Sequence, residues 1–129
     1  MANVTKPETG RRWYNGPCGN IGLSPTFKHT LASAASGDVI TFGDKMESNL
    51  KLTGVDLFSA ALGASTTVTL KVGSTTLVNA QSTSSAVAQR FALDDIITAG
   101  GEAITLTVGG GTASGDVKFK FYYEPLGNL

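Results

Sequence analysis

The sequence is poor in the side chains on which most enzyme and metal chemistry depends. Its 129 residues include one cysteine, Cys18, and one histidine, His29. A single cysteine excludes a disulfide within the chain, and together the two residues supply at most half of a zinc site. A Cys–His nucleophilic pair is conceivable, but no motif surrounds either residue. We therefore expect no catalytic residue, no metal and no cofactor.

Charge is equally scarce. Lysine and arginine together number 10, as do aspartate and glutamate, so the formal net charge is zero and only 16% of residues are charged. A zero net charge lacks the basic footprint of nucleic-acid-binding proteins. No apolar run approaches the length of a membrane span, and the first residues carry no apolar secretion signal. We expect no nucleic-acid or membrane partner, and synthesis in a reducing cytoplasm.

Strands are what the sequence does contain. Residues 67–72 alternate strictly, with Val68, Leu70 and Val72 on one side and polar residues on the other. Residues 104–108 and 117–123 follow the same period of two. This alternation is typical of strands in a sheet that has one buried face and one solvated face.

About eight short strands are predicted, with turn signals roughly every ten residues. Helix signals are confined to single turns, at 94–98 starting at an aspartate cap and, as an alternative to a loop, at 60–65. We predict an all-β fold, an antiparallel β-sandwich of jelly-roll type. The predicted strands are 26–31, 39–42, 49–58, 66–72, 75–79, 87–93, 103–108 and 116–124.

The strand predicted over 49–58 has an irregularity in its middle. Leu50 and Leu52 share one face by alternation, whereas Val55 and Leu57 share the other. The change of face falls at Thr53 and Gly54, which predicts a β-bulge there or, alternatively, two separate strands.

Several charged or glycine-rich motifs have structural explanations. The acidic pairs at 44–47 and 94–95 are typical of caps and turn ends. Gly109, Gly110 and Gly111 precede a strand instead of a helix, so we predict a flexible hairpin connection and no phosphate loop. Lys118 and Lys120 lie opposite the neighbouring aromatics, which predicts a solvated face and protection of a sheet edge.

The first 25 residues differ from the rest. Prolines and glycines interrupt any regular pattern, yet Arg11, Arg12, Trp13 and Tyr14 stand in the middle. We predict an irregular N-terminal arm over 1–25 and a single sandwich domain over 26–129. The aromatic pair packs either on its own domain, as an edge strand, or on a neighbouring subunit. Arginine, tryptophan and tyrosine are enriched at interface hot spots.

Four segments of the chain carry a family resemblance. They are Gly37-Asp38-Val39-Ile40, Val55-Asp56-Leu57-Phe58, the stretch from 61 to 73 that reads ALGASTTVTLKVG, and the stretch from 112 to 119 that reads TASGDVKF. Across about residues 37–124 the chain resembles head decoration, or cement, proteins of tailed bacteriophages. The resemblance implies a jelly-roll-like structural protein on the virion surface that binds the major capsid protein and bridges its subunits, often as a homotrimer.

Two alternatives stay open. One is a carbohydrate- or receptor-binding sandwich of a virion, for which Trp13, Tyr14 and Tyr122 would form the stacking platform. The other is a head–tail or tail-tube component. An enzyme is the least supported class, because no set of acid, base and nucleophile emerges from the sequence.

Overall fold

The computed structural model of the chain describes residues 3–6, 22–24, 26–46 and 48–126. These residues form ten strands and no helix. The strands are β1 (Asn3–Thr5), β2 (Gly22–Leu23), β3 (Phe27–Ala34), β4 (Val39–Lys45), β5 (Leu50–Ser59), β6 (Thr67–Val72), β7 (Thr75–Ser82), β8 (Val87–Ile97), β9 (Ala103–Gly109) and β10 (Ala113–Pro125).

The strands form two sheets. Sheet I has the order β1-β4-β9-β6-β7, and sheet II has the order β2-β10-β5-β8, with β3 also paired to β10. Apart from the short β1 and β2, the orders β4-β9-β6-β7 and β3-β10-β5-β8 are those of an eight-stranded jelly roll. The predicted all-β sandwich of jelly-roll type is confirmed.

The core lies between the inner faces of the two sheets. Alternate residues of each strand point into it, as the period of two dictates, and side chains such as Leu70, Leu106 and Phe121 are fully buried. Phe27 and Phe119 stack with ring centroids 5.2 Å apart, and Phe42 meets Phe119 edge to face at 5.1 Å. These contacts join β3 and β10 of sheet II to β4 of sheet I.

The predicted bulge in β5 is present. Pairing with β10 and with β8 shifts register between Leu52 and Gly54. Because of this shift Leu50, Leu52, Val55 and Leu57 all point into the core, and none has measurable exposure. The bulge therefore resolves the apparent change of face in the sequence and keeps β5 a single strand.

The predicted helical turn over 94–98 is wrong. β8 continues to Ile97, and Leu52 of β5 pairs with Ile96. Asp95 adopts a positive φ of 44°, a conformation that aspartate tolerates better than most residues. The aspartates therefore mark an irregularity within a strand, where their sequence signal resembles a helix cap. At residues 60–65 the loop prediction is correct.

The glycine-rich segment after β9 is not a hairpin connection. β9 belongs to sheet I and β10 to sheet II, so the segment carries the chain from one sheet to the other. Gly110 has a φ of 78°, and a Cβ atom there would overlap the Ser65 carbonyl oxygen. Close packing of two loops, at the end of the sandwich, explains the glycine.

Candidate interaction surfaces

The predicted interface residues Arg11, Arg12, Trp13 and Tyr14 lie outside the residues that the structure describes. The chain on either side of them is anchored. Lys6 N–H donates to the Thr41 carbonyl of sheet I over 2.8 Å. Ser24 N–H donates to the Phe121 carbonyl of sheet II over 2.9 Å, and Phe121 N–H donates to the Ser24 hydroxyl over 2.8 Å. The described chain therefore breaks off beside β4 at Lys6 and resumes beside β10 at residues 22–24.

The outer face of sheet I carries an array of threonines. Thr107 of β9 lies directly opposite Thr69 of β6, and Thr105 lies opposite Thr41 of β4. We name the surface formed by Thr41, Thr67, Thr69, Thr105 and Thr107 the threonine face. All five residues are partly exposed.

The threonine face is nearly free of charge. One registered row across the sheet consists of Asn3, Val39, Thr107 and Thr69, and the next consists of Thr5, Thr41, Thr105, Lys71 and Thr76. Lys71 is the only charged residue of these two rows. Burying a neutral hydroxyl surface costs less free energy than burying ionised groups. This face is therefore the part of the described surface best suited to lie against another protein.

The outer face of sheet II has the opposite character. Lys28, Lys118 and Phe58 form one registered row, and Lys120, Asp56 and Arg90 form another. Lys118 Nζ lies 5.4 Å from the Phe58 ring centroid. The lysines are on the solvated face, as predicted. β10, however, lies between β5 and β3, so they do not protect a sheet edge.

Asp56 is the centre of a hydrogen-bonded cluster on this face. Its carboxylate accepts from Arg90 Nε at 2.7 Å and from the Tyr122 hydroxyl at 2.8 Å. Arg90 Nη2 also donates to the Tyr122 hydroxyl at 2.6 Å, and its guanidinium lies 4.6 Å from the ring centroid of Tyr122. The hydrogen bond from Arg90 is the main cause that lowers the pKa of Asp56, and the Tyr122 hydroxyl adds to it. Three side chains from three adjacent strands are thereby tied together.

Sequence reasoning missed this cluster. Asp56 and Arg90 are separated by 34 positions, and each is flanked directly by apolar or neutral residues of its strand. The sequence did offer one signal: a charged residue within an otherwise apolar, alternating strand indicates that the residue has a partner. Its partner could not be identified because the pairing of β5 with β8 is not visible in the alternation.

Tyr122 was predicted as part of a sugar-stacking platform with Trp13 and Tyr14. Its ring lies under the guanidinium of Arg90, so that ring face is already occupied. Beside it, Thr53, Gly54, Phe91 and Ala92 complete a shallow, mostly apolar groove. The other two aromatics lie outside the described residues, so the platform stays a prediction.

The sequence around His29 did not indicate whether its side chain is exposed or buried. It pairs with Val117 of β10 and points toward the core side of β3, where it is partly buried. Desolvation lowers the pKa of the imidazole, and the positive charge of Lys6 lowers it further. The arrangement favours the neutral form of the histidine.

The described residues contain no group of three or more histidine, cysteine, aspartate or glutamate side chains placed to hold a metal ion. Nor does that part of the chain include a helix long and apolar enough to cross a bilayer. Asp94 and Asp95 are both exposed on β8.

Comparison with known proteins rests on structure alone. No family model and no curated protein matches the sequence. Three solved chains match the fold. One belongs to the capsid of Ralstonia phage GP4, with a TM-score of 0.72 and 18% identity over 98% of this chain and 100% of that chain. Another belongs to the capsid asymmetric unit of cyanophage Pam1, with a TM-score of 0.57 and 23% identity over 90% of this chain and 94% of that one. The chain thus has a fold that occurs in phage capsids.

Proposed function

We propose that the protein is a structural component of a phage virion that binds the outside of the capsid. It bridges subunits of the major capsid protein and so stabilises the head. It acts without catalysis, it is made in the host cytoplasm, and it works as a homo-oligomer for which a trimer is the first expectation.

The observation that carries this proposal is the match over nearly the whole chain to a chain of a phage capsid. That match extends over all of the other chain, so the likeness is to the whole of that chain and not to a part of it. The threonine face adds physical support, because a nearly uncharged sheet surface can be covered by another protein at a low desolvation cost.

The direct test is reconstitution of heads. Capsids assembled without this chain would be mixed with the purified protein, and binding would be followed by co-sedimentation and electron microscopy. We expect ordered density on the outer surface and a higher temperature of head disruption. Failure of the protein to bind such heads, or density confined to the tail or the portal, would overturn the proposal.

The interface residues predicted from sequence need a test that spares the fold. Removing residues 1–14 would also remove β1, which pairs with β4. Combined substitution of Arg11, Arg12, Trp13 and Tyr14 by alanine leaves that strand in place. We expect this variant to bind heads at least about tenfold more weakly, as expected when hot-spot side chains are truncated. A matched control with four alanine substitutions at Ser82, Ser84, Ser85 and Gln89 should bind normally.

A further inference from the structure

Among the described strands, β8 is an edge of the sandwich. It is the last strand of sheet II, and within the described part of the chain it pairs on one side only, with β5. The strand has 11 residues, Val87–Ile97. An edge strand of this length presents a row of backbone groups that another strand can pair with.

The sequence of β8 is complementary to itself when it is read in the antiparallel direction. If two copies pair antiparallel about a two-fold axis at Ala92, Arg90 of each copy lies opposite Asp94 of the other. Phe91 then lies opposite Leu93. The symmetry gives two identical ion pairs, one on each side of the axis, and oppositely charged residues directly across a strand pair stabilise it.

The side chains are placed for this pairing. Arg90 and Ala92 are exposed on the outer face, whereas Phe91 and Leu93 are partly buried and pack against the core. The residues that would meet across the axis are therefore on the same faces of the joined sheet. Two copies would form one continuous sheet with one continuous apolar side.

Arg90 and Asp94 can each form a further ion pair. Arg90 uses Nε and Nη2 for Asp56 and Tyr122, and its side chain is 66% exposed. Asp94 is exposed and forms no ion pair with any described residue. Because Asp56 and Tyr122 hold the guanidinium in place, less side-chain entropy would be lost when Arg90 meets a carboxylate.

β8 bulges beyond Ala92, since residues 93–95 lie opposite the single residue Thr53 of β5. The alternation of burial continues through Leu93 and Asp94 and ends at Asp95, which has a positive φ, so pairing with a second copy is confined to about residues 90–94. Beyond it, Ile97 is 59% exposed, the most exposed large apolar residue among those described. In an antiparallel pair this end of β8 approaches the end of the other copy at Val87. The contact would therefore also cover an apolar side chain that is otherwise in water.

We propose that β8 pairs with β8 of a second copy of this chain, antiparallel, about a two-fold axis at Ala92. The inference uses no part of the proposed function. In a trimeric protein such a contact would join one trimer to the next.

Cross-linking tests the register directly. In a Cys18→Ser background, Ala92→Cys places two thiols opposite each other, at a Cβ separation of about 5 Å for directly opposed residues, close to what a disulfide requires. Ala88→Cys is the matched control, since it is also a small exposed residue on the outer face of β8. Two copies of residue 88 would lie about 26 Å apart at the rise of a strand.

We expect oxidation to give a covalent dimer of the Ala92→Cys protein and no dimer of the Ala88→Cys protein. Adding Asp94→Arg to Ala92→Cys should slow dimer formation about tenfold, because both ion pairs become repulsive. Asp94→Asn should give an intermediate rate. Absence of dimer from Ala92→Cys, equal dimer from Ala88→Cys, or indifference to Asp94→Arg would each overturn the proposal. Head binding by the uncross-linked protein is measured separately, so this failure is distinguishable from failure of the capsid proposal.

Discussion

Asp56 and Arg90 face each other across β5 and β8 and form an ion pair, in which Nε lies 2.7 Å from Oδ1. The carboxylate side chain is 6% exposed, whereas that of Arg90 is 66% exposed. Asp56 therefore bears most of the free-energy cost of removing the pair from water. Its buried carboxylate depends on the hydrogen bonds from Arg90 and Tyr122 to offset that cost. We predict that Asp56→Asn lowers the free energy of unfolding by about 1–3 kcal/mol, because an amide cannot satisfy both donors as the carboxylate does. Urea unfolding followed by far-ultraviolet circular dichroism measures this change.

The matched control is Asp116→Asn. Asp116 pairs with Lys28 at 3.8 Å, and both side chains are more than half exposed. Exposed pairs of this kind contribute little to stability, so we expect a change within about 0.5 kcal/mol. Equal effects of the two substitutions would contradict the role assigned to Asp56.

A second prediction concerns pH. The folded-state pKa of His29 lies below its usual 6.5, first through desolvation and then through Lys6. The unfolded chain therefore takes up the proton more readily than the folded chain. The stability that depends on neutral His29 is fully present above about pH 6.5 and decreases as the pH falls toward the lower folded-state pKa.

Thermal unfolding between neutral and mildly acidic pH tests this prediction. We expect His29→Gln to flatten the decrease and Lys6→Gln to reduce it partly. Asp56 also has a lowered pKa, so the stability that depends on its ionised carboxylate is lost only below about pH 3.8. The effects of His29 and Asp56 on stability therefore occur in different pH ranges. A pH profile of His29→Gln identical to that of the unmodified protein would refute the assignment.

The fold was predictable where information is local. Alternation identified the strands of the core because a sheet with one buried face requires a period of two. Gly54, together with the change of face around it, was enough to place the bulge in β5. Asp94 and Asp95 misled the prediction, because the same residue type serves helix caps and positive-φ positions in strands.

Long-range pairing was not predictable. The crossing from β9 to β10 and the joining of Asp56 to Arg90 depend on which strands become neighbours. Alternation is the same for any strand order, so neither feature could be derived from it. The threonine face was predictable in part. Each strand indicated threonines on its outer side, but only the registered pairs of sheet I bring Thr69, Thr105 and Thr107 together.

The third prediction follows from the contact between Gly110 and Ser65. Gly110 combines a positive φ with a position at which a Cβ atom would overlap a backbone oxygen. Gly110→Ala should therefore cost more than about 2 kcal/mol of unfolding free energy, because it adds a steric clash to a strained backbone conformation. Gly101 provides the control, since it also has a positive φ but no atom within 4 Å of the position that a Cβ would occupy. Gly101→Ala should lower the free energy of unfolding only by the backbone strain, about 1–2 kcal/mol. The difference in the free energy of urea unfolding between the two variants therefore measures the cost of the clash with Ser65.

The fourth prediction assigns the capsid-facing side. Thr107 lies in the middle of sheet I, between Val39 and Thr69. If the threonine face lies against the capsid, Thr107→Lys would place a charge in a dry contact. We expect binding to heads to weaken at least about tenfold, since an unpaired charge is costly to desolvate.

Thr30→Lys is the matched control, because it places the same side chain on an exposed position of sheet II, beside Asp116. Both variants should show the circular dichroism of the unmodified protein, since neither residue belongs to the core. Normal binding by Thr107→Lys together with lost binding by Thr30→Lys would reverse the orientation and place the charged sheet against the capsid. That result would also mean that recognition depends on ion pairs, and binding would then decrease steeply as salt is added.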